Sequence, residues 1–353
     1  LKILVIQQKM IGDVLTSSLI CENLKLNFPD AEIHYLINRF TLPVVEGHPC
    51  VDEFVIFEDK YRQSKVQFYK FLKQISKAKY THVFDAYGKL ESLLISRFSK
   101  AKNRFGFKKS YSQFFYTNTV RIQHSSHTEA GTAIENRLRL TQLMPHTKIY
   151  NNKPKIYLSE VEIKTAKQKL LNAGLNSKTC IMVSALGSEA SKTYPLNYMA
   201  ELLNLIVKHT KAYLILNYIP AQQDQIDSLI NLCDLKTQNY IVKDLDINSL
   251  RDFICICSQC KAIVGNEGGA INTAKALNVP TFSIFSPWII KEGWNSFEQN
   301  HPNVSVHLSD FNDNWFENHN IKDLKQNAEK YYNELNPNLF KFQLIDFLKT
   351  NIG

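Results

Sequence analysis

No stretch of this 353-residue sequence approaches the ~20 consecutive apolar residues that a membrane-spanning helix needs, so any membrane contact is expected to be peripheral. The opening "LKILVI" runs straight into a polar turn and reads as a strand rather than a signal peptide. The seven cysteines are odd in number and scattered, which excludes a small disulfide scaffold and fits a reducing cytoplasm. No G-x-G-x-x-G follows the first apolar run, and G-x-x-x-x-G-K-[ST] occurs nowhere. A dinucleotide-dependent epimerase or dehydrogenase is therefore disfavoured, since it needs a Gly-rich turn in its first domain. Helix-turn-helix, zinc-finger and RRM signatures are also missing, so only charge speaks for a nucleic-acid binder. There is no short-period repeat.

What is present belongs to a globular protein: 44% of residues are hydrophobic, and the chain is too long for one ordinary core, so two domains are expected. The net charge of +9 suits an anionic partner, whether nucleic acid, membrane surface or phosphorylated substrate. Short β-rich runs alternate with helical periods. "ILVIQ", "AEIHYLI", "DEFVIF", "HVFDAY", "NRFGF" and "FFYTNTVRI" read as strands, with helices over 13–27, 64–78, from Lys89 and over 130–143. The polar stretch "PHTKIYNNKPKIYLSEVE" reads as a linker. The alternation then restarts with "CIMVSAL", "AYLILNY", "NYIVK", "AIVGN" and "TFSIFS", separated by helices over 160–173, after Pro195, over 222–232 and 247–258, and from Gly269. The pattern predicts an α/β fold of two parallel-sheet domains, 1–150 and 151–320. Amphipathic tail helices over 321–353 are candidates for packing back on the first domain. A cleft between two such domains would let the carboxyl ends of both sheets face one ligand.

Three stretches have the residue types for chemistry. In "GDVLTSS" (12–18), Asp13 follows a strand and a glycine and opens a helix. Such an acid can simply favour the helix dipole, or it can act as a base at the sheet's carboxyl edge; its charge would repel a pyrophosphate bound there. In "SALGSEASKTYP" (184–195), Ser188, Ser191 and Lys192 lie between a strand and a helix starting at Pro195, where hydroxyls and an ammonium can hold phosphate oxygens or merely face solvent. In "AIVGNEGGAINTAKALNVP" (262–280), Gly268 and Gly269 permit close approach of a ligand to the backbone at a helix start, and Glu267 can accept from sugar hydroxyls; a plain tight turn would also use these glycines.

Other features have simpler readings. Cys255, Cys257 and Cys260 suggest zinc, but they fall in a helix without a second ligand pair and read as buried thiols. His124 and His127 read as a polar loop, and Asp244 and Asp246 as N-caps of the next helix. The run "RFSKAKNRFGFKKSY" (97–111) concentrates six basic residues among aromatics, and reads either as a solvated edge or as a dock for an anionic acceptor or membrane headgroups through Lys102, Arg104, Lys108 and Lys109.

Taken together, these motifs resemble family 9 glycosyltransferases, the heptosyltransferase family of lipopolysaccharide core assembly. "GDVLTSS" resembles that family's "GDVL-" opening, "GSEASKTYP" its G-x-x-x-x-K-x-[WY]-P segment, and "VGNEGGAINTAKALNVPTFSIFSP" its V-G-N-D-[ST]-G-x-x-H-x-A-x-A-L-G-x-P signature. The resemblance runs in order over most of the chain. It implies a GT-B architecture, with acceptor on the first Rossmann-like domain and nucleotide-sugar donor on the second, and inverting chemistry that uses no metal. It also implies Asp13 as catalytic base with Gly12 beside the acceptor, Lys192 on the donor diphosphate, and Glu267, Gly268 and Gly269 on donor phosphate and sugar.

The sequence departs from the pattern at the donor pocket. Glu267 stands for the usual Asp, Gly268 for the hydroxyl residue and Asn272 for the His. Gln222, in "NYIPAQQDQ", stands nearest the usual ribose-gripping Glu, with Asp224 close by. These changes bear on donor choice more than on glycosyl transfer. The resemblance thus implies no cofactor beyond a nucleotide-sugar co-substrate, ADP-linked in the family. Its implied partners are an anionic glycolipid or oligosaccharide acceptor and the cytoplasmic face of the inner membrane, not nucleic acid. The alternatives are a transferase for a different nucleotide-sugar and a non-catalytic glycan- or lipid-binding relic.

Overall fold

Each short apolar run becomes a parallel strand because helices cover both faces of the sheet it joins. In the computed structural model, which describes residues 1–298 and 302–353, Ile3 to Ile6 of the first strand are wholly buried. Strands β1 (Lys2–Ile6), β2 (Glu32–Asn38), β3 (Glu53–Phe57), β4 (His82–Asp85), β5 (Asn103–Phe107) and β6 (Asn118–Val120) form one sheet in the order β3-β2-β1-β4-β5-β6. Strands β7 (Cys180–Ser184), β8 (Tyr213–Leu216), β9 (Ala262–Asn266), β10 (Thr281–Ile284) and β11 (Asn303–Val306) form a second, ordered β11-β10-β9-β7-β8. The first unit comprises Leu1–Tyr157 and Glu292–Ser296, the second Leu158–Lys291 and Phe297–Gly353.

The main helices of the first unit are α1 (Ile11–Asn27), α2 (Lys65–Lys77), α3 (Leu90–Phe98) and α4 (Thr132–Thr141). Those of the second are α5 (Glu160–Asn172), α6 (Leu196–Thr210), α7 (Gln223–Leu232), α8 (Leu250–Cys257) and α9 (Gly269–Ala276), followed by α10 (Ile321–Gln326), α11 (Ala328–Glu334) and α12 (Lys341–Asn351). Their starts have local causes. The Ser159 hydroxyl accepts from the Glu162 N–H at 3.3 Å, while Glu162 reaches back to the Ser159 N–H at 2.8 Å.

Four expectations need correction. "NYIVK" is no strand: Ile241 makes one isolated bridge to Leu214, and the polar residues after it leave the sheet. "FFYTNTVRI" contributes only Asn118–Val120, and β11 was not anticipated. Ser249, not an aspartate of "DLD", caps α8, accepting from the Asp252 N–H at 3.0 Å. The tail helices pack into the second unit, where Leu324, Tyr332, Phe340 and Phe347 join the core built on β7 and β9. The stretch read as a linker does carry the boundary between the two units, at Tyr157 and Leu158, and it is pinned: the buried Asn23 side chain accepts from the Tyr150 and Asn151 N–H groups.

Strand order locates the functional edge. In each sheet the chain proceeds outward one way, then returns to build the other side. The reversals fall between β1 and β4, and between β7 and β9. Ligands of open parallel sheets bind outside the carboxyl ends of the strands at such reversals.

The first reversal is braced from within. Asp85, at the end of β4, is fully buried; it accepts from the Tyr87 and Gly88 N–H groups at 3.0 and 2.9 Å and from the Tyr116 hydroxyl at 2.7 Å. Burial pushes its pKa up against the pull of these bonds. Gly106 makes room for Tyr116, since a Cβ there would lie 2.2 Å from the ring. Gly106→Ala is therefore expected to displace the ring and break its bond to Asp85. The cost should be about 2–3 kcal/mol, seen as a fall of roughly 5–10 °C in the melting temperature. An unchanged melt would show that the ring relocates without penalty.

Candidate active site

Asp13 lies in the first turn of α1, directly beyond the β1/β4 reversal. Its Oδ2 accepts from the Met10 N–H at 3.2 Å, so it does cap the helix. Its Oδ1 accepts from Arg137 Nη2 at 2.6 Å, and the side chain remains 29% exposed. Arg137, on α4, is nearly buried and also donates to the Ser17 hydroxyl at 2.9 Å and the Ala133 carbonyl at 2.7 Å. The carboxylate is thus oriented from two sides and still reachable. Gly12, the preceding residue, is buried in α1, and its carbonyl accepts from the Thr16 hydroxyl.

The basic run does not form one patch. Lys108 and Lys109 follow β5 at the carboxyl edge, whereas Lys102 precedes it and lies about 20 Å away along the strand. Lys109 Nζ donates to the Gly88 carbonyl at 2.9 Å, and Lys108 and Lys102 are exposed. Arg104 is committed to the fold, donating to the carbonyls of Phe115 and Ala101 near the strand's opposite end.

In the second unit the expected donor residues converge on the β7/β9 reversal. The connection after β7 carries Ser188, Ser191 and Lys192; β9 leads into Glu267, Gly268 and α9. Gly187 permits the loop to fold on itself, because a Cβ there would meet the Lys192 carbonyl at 2.3 Å. Gly268 has φ +157°, a conformation that favours glycine, with open space where a side chain would be. The first N–H groups of α9 have no partner within the helix. Burial raises the pKa of Glu267, opposed by Lys192 and Lys275.

Asn272 Nδ2 donates to the Gly268 carbonyl at 3.2 Å. Gln222 bonds the Ile219 N–H at 3.1 Å and the Gly187 carbonyl at 3.3 Å, tying the turn after β8 to the Lys192 loop. An open groove of 930 Å³ flanks this loop, lined by Gly187, Ser188, Gln222 and tail residues including Lys325 and Asn333; α9 is not part of its wall. The three cysteines of "CICSQC" are buried, and burial raises their thiol pKa values.

With two such edges in place, sequence comparison is decisive: a model of glycosyltransferase family 9 (heptosyltransferase) matches residues 68–311. The chain belongs to glycosyltransferase family 9. It is a glycosyltransferase, and its two parallel-sheet domains are the GT-B fold of that family. It is 25% identical over 296 residues to lipopolysaccharide heptosyltransferase 1 of Campylobacter coli, covering 81% of this chain and 84% of that one. The family 9 glycosyltransferase of Veillonella parvula superimposes with a TM-score of 0.76 at 15% identity, over 98% of this chain and 97% of that one. E. coli heptosyltransferase WaaC, solved with ADP-2-deoxy-2-fluoro heptose, gives 0.67 at 16% identity, over 87% and 93%.

Two residues that brace the candidate site are not singled out by the sequence motifs. Arg137 lies 124 positions from its carboxylate partner. Its one signal is a charge three residues after Ile134, on the buried stripe of α4. Asn266 sits inside the quoted signature and is wholly buried. Its Oδ1 accepts from the Tyr194 N–H at 2.7 Å, and its Nδ2 donates to the carbonyls of Ser184 at 3.0 Å and Ala185 at 2.8 Å. It thereby fixes both ends of the Lys192 loop.

Proposed function

We propose that this chain is an inverting, metal-independent transferase with Asp13 as general base. It moves a sugar, heptose or a related one, from a nucleoside-diphosphate donor to a lipopolysaccharide-core or other surface-glycan acceptor. One observation carries the reading: the two sheet reversals bear complementary chemistry, an oriented carboxylate on the first, and on the second a loop lysine and a helix start that no side chain caps. The ADP-heptose analogue bound by WaaC and the name of the Campylobacter relative point to the ligand class.

In this scheme the acceptor hydroxyl oxygen attacks the anomeric carbon from the face opposite the diphosphate. The carbon–oxygen bond to the diphosphate breaks and its electron pair leaves with the phosphate. The hydroxyl proton passes to Asp13. Negative charge grows on the leaving group, so Lys192 and the first N–H groups of α9 stabilise the transition state more than the ground state. Lys108 and Lys109 remain the better candidates for an anionic acceptor, since they share the carboxyl edge with Asp13. The reaction belongs at the cytoplasmic face of the inner membrane, where the basic protein can meet an anionic glycolipid without a spanning segment; no helix among the described residues is long and apolar enough to cross.

Glu267, Gly268, Asn272 and Gln222 favour a second reading of the donor. Glu267 is one methylene longer than the family's Asp, Gly268 offers no hydroxyl, and both amides are already bonded within the protein, Asn272 to the Gly268 carbonyl and Gln222 to the Ile219 N–H and the Gly187 carbonyl. A thermal-shift panel of ADP, UDP, GDP and CDP with their sugars tests this. The largest stabilisation should come from ADP and an ADP-sugar, read against RT ln(1 + [L]/Kd). A winner with another base would move the donor, and no shift from any would favour a non-catalytic relic. Proton NMR of the product should show the inverted anomer. Transfer should be unchanged by EDTA; a strict requirement for a divalent ion would overturn the charge-stabilisation scheme.

A further inference from the structure

The Lys192 loop carries a carboxylate close to its own lysine. Glu189 lies three residues before Lys192, its carbonyl accepts from the Lys192 N–H at 2.9 Å, and its carboxylate is within electrostatic range of the Lys192 ammonium. Left to itself, this pair would neutralise the cation that the diphosphate needs. The structure shows a different arrangement. Lys325, on α10 of the tail, reaches the Glu189 carboxylate at 3.0 Å. Lys192 makes no salt bridge to a described residue and instead lies over the Trp288 ring, 5.3 Å from its centroid. Lys325 Nζ lies over the same ring at 4.4 Å, and Trp288 Nε1 donates to the Ser191 carbonyl at 3.1 Å, holding the loop against the ring. An indole face attracts an ammonium without removing its charge.

We propose that Lys325 is a positioning residue: by engaging the Glu189 carboxylate it keeps Lys192 on Trp288 with its charge available to a diphosphate. The proposal rests on the reading of Lys192 as a diphosphate ligand. It reaches beyond the part of the chain that matches the family, which ends at residue 311. The Glu189 carboxyl is held below its usual range, first by the hydrogen bond from Lys325 and more weakly by Lys192 at longer range. Both Glu189 and Lys325 are nearly half exposed, so exchanging them should scarcely alter stability.

The test is calorimetric titration of inorganic pyrophosphate and of ADP into the full chain at low salt. Four proteins are compared: wild type, Lys192→Ala, Lys325→Ala, and Lys325→Ala with Glu189→Gln. Lys192→Ala should weaken both probes at least tenfold. Lys325→Ala should weaken both about fivefold, the scale of one exposed ion pair forming between Glu189 and Lys192. Adding Glu189→Gln should return the affinity to within twofold of wild type, because the competing carboxylate is gone. If Lys325→Ala binds like wild type, or if Glu189→Gln fails to rescue it, the positioning role is overturned. The second of these outcomes would make Lys325 a direct phosphate ligand. If Lys192→Ala binds like wild type, the diphosphate reading of Lys192 itself falls and takes the proposal with it. Melting temperatures of all four should agree within 2–3 °C, which separates lost charge control from a damaged fold.

Discussion

Asp13→Asn is expected to lower turnover at least a hundredfold while affinity for ADP stays within about twofold. General-base assistance is typically worth 10²–10⁴-fold, roughly 3–5 kcal/mol, and an amide cannot take the proton. The change is isosteric, so the surroundings can persist: the Asn oxygen can still accept from Arg137, and α1 loses at most the acid's reach to the Met10 N–H. The residues proposed to hold the donor lie on a different sheet and a different unit, which is why nucleotide binding should not follow. The measurement is kcat with the donor selected by thermal shift, alongside ADP titration of the same preparation. Near-normal kcat would remove Asp13 from the base role and leave it a helix cap. A parallel loss of ADP affinity would mean that the substitution disturbs more than proton transfer.

The parallel strands were legible because buried parallel strands need near-continuous apolar runs, and "ILVI", "IMV" and "AIV" have few other uses. What failed was pairing extent. "NYIVK" has the composition of a strand, but whether it extends a ladder depends on how much of β8 it can follow, and it meets only Leu214 there. The tail was legible as amphipathic helix and silent about destination, since an apolar stripe states that a surface is covered but not which one.

The site divides the same way. Asp13, Lys192 and Gly268 stand beside turns whose local chemistry is visible in short windows. Arg137, Asn266, Trp288 and Lys325 act on them across 72 to 136 positions, through contacts that exist only once the sheets have formed. The basic run 97–111 misleads because counting charges ignores the strand between them. β5 separates Lys102 from Lys108, and Arg104 spends its donors on backbone carbonyls.

Asn266→Ala should lower the melting temperature by roughly 10 °C and weaken ADP about tenfold. Asn266 is fully buried, and among the described residues the Tyr194 N–H donates to its Oδ1 alone, so truncation leaves that donor unsatisfied and releases the Ser184 and Ala185 carbonyls from its amide. Leaving buried polar groups unpaired costs about 1–3 kcal/mol each, and the total here should reach 3–4 kcal/mol because the carbonyls can relax toward other partners. The loss in ADP affinity follows from position. Ala185 and Tyr194 are the two ends of the loop that carries Lys192, and the amide is what holds those ends together. Asn266→Asp separates the two halves of this argument. It keeps an acceptor for the Tyr194 N–H, but it turns a carboxylate oxygen toward two carbonyl oxygens in a site without solvent. It should therefore melt no higher than the alanine variant despite its nearly identical shape. An aspartate variant with the melting temperature of the wild type would mean that shape, not the direction of the amide's hydrogen bonds, organises the Lys192 loop.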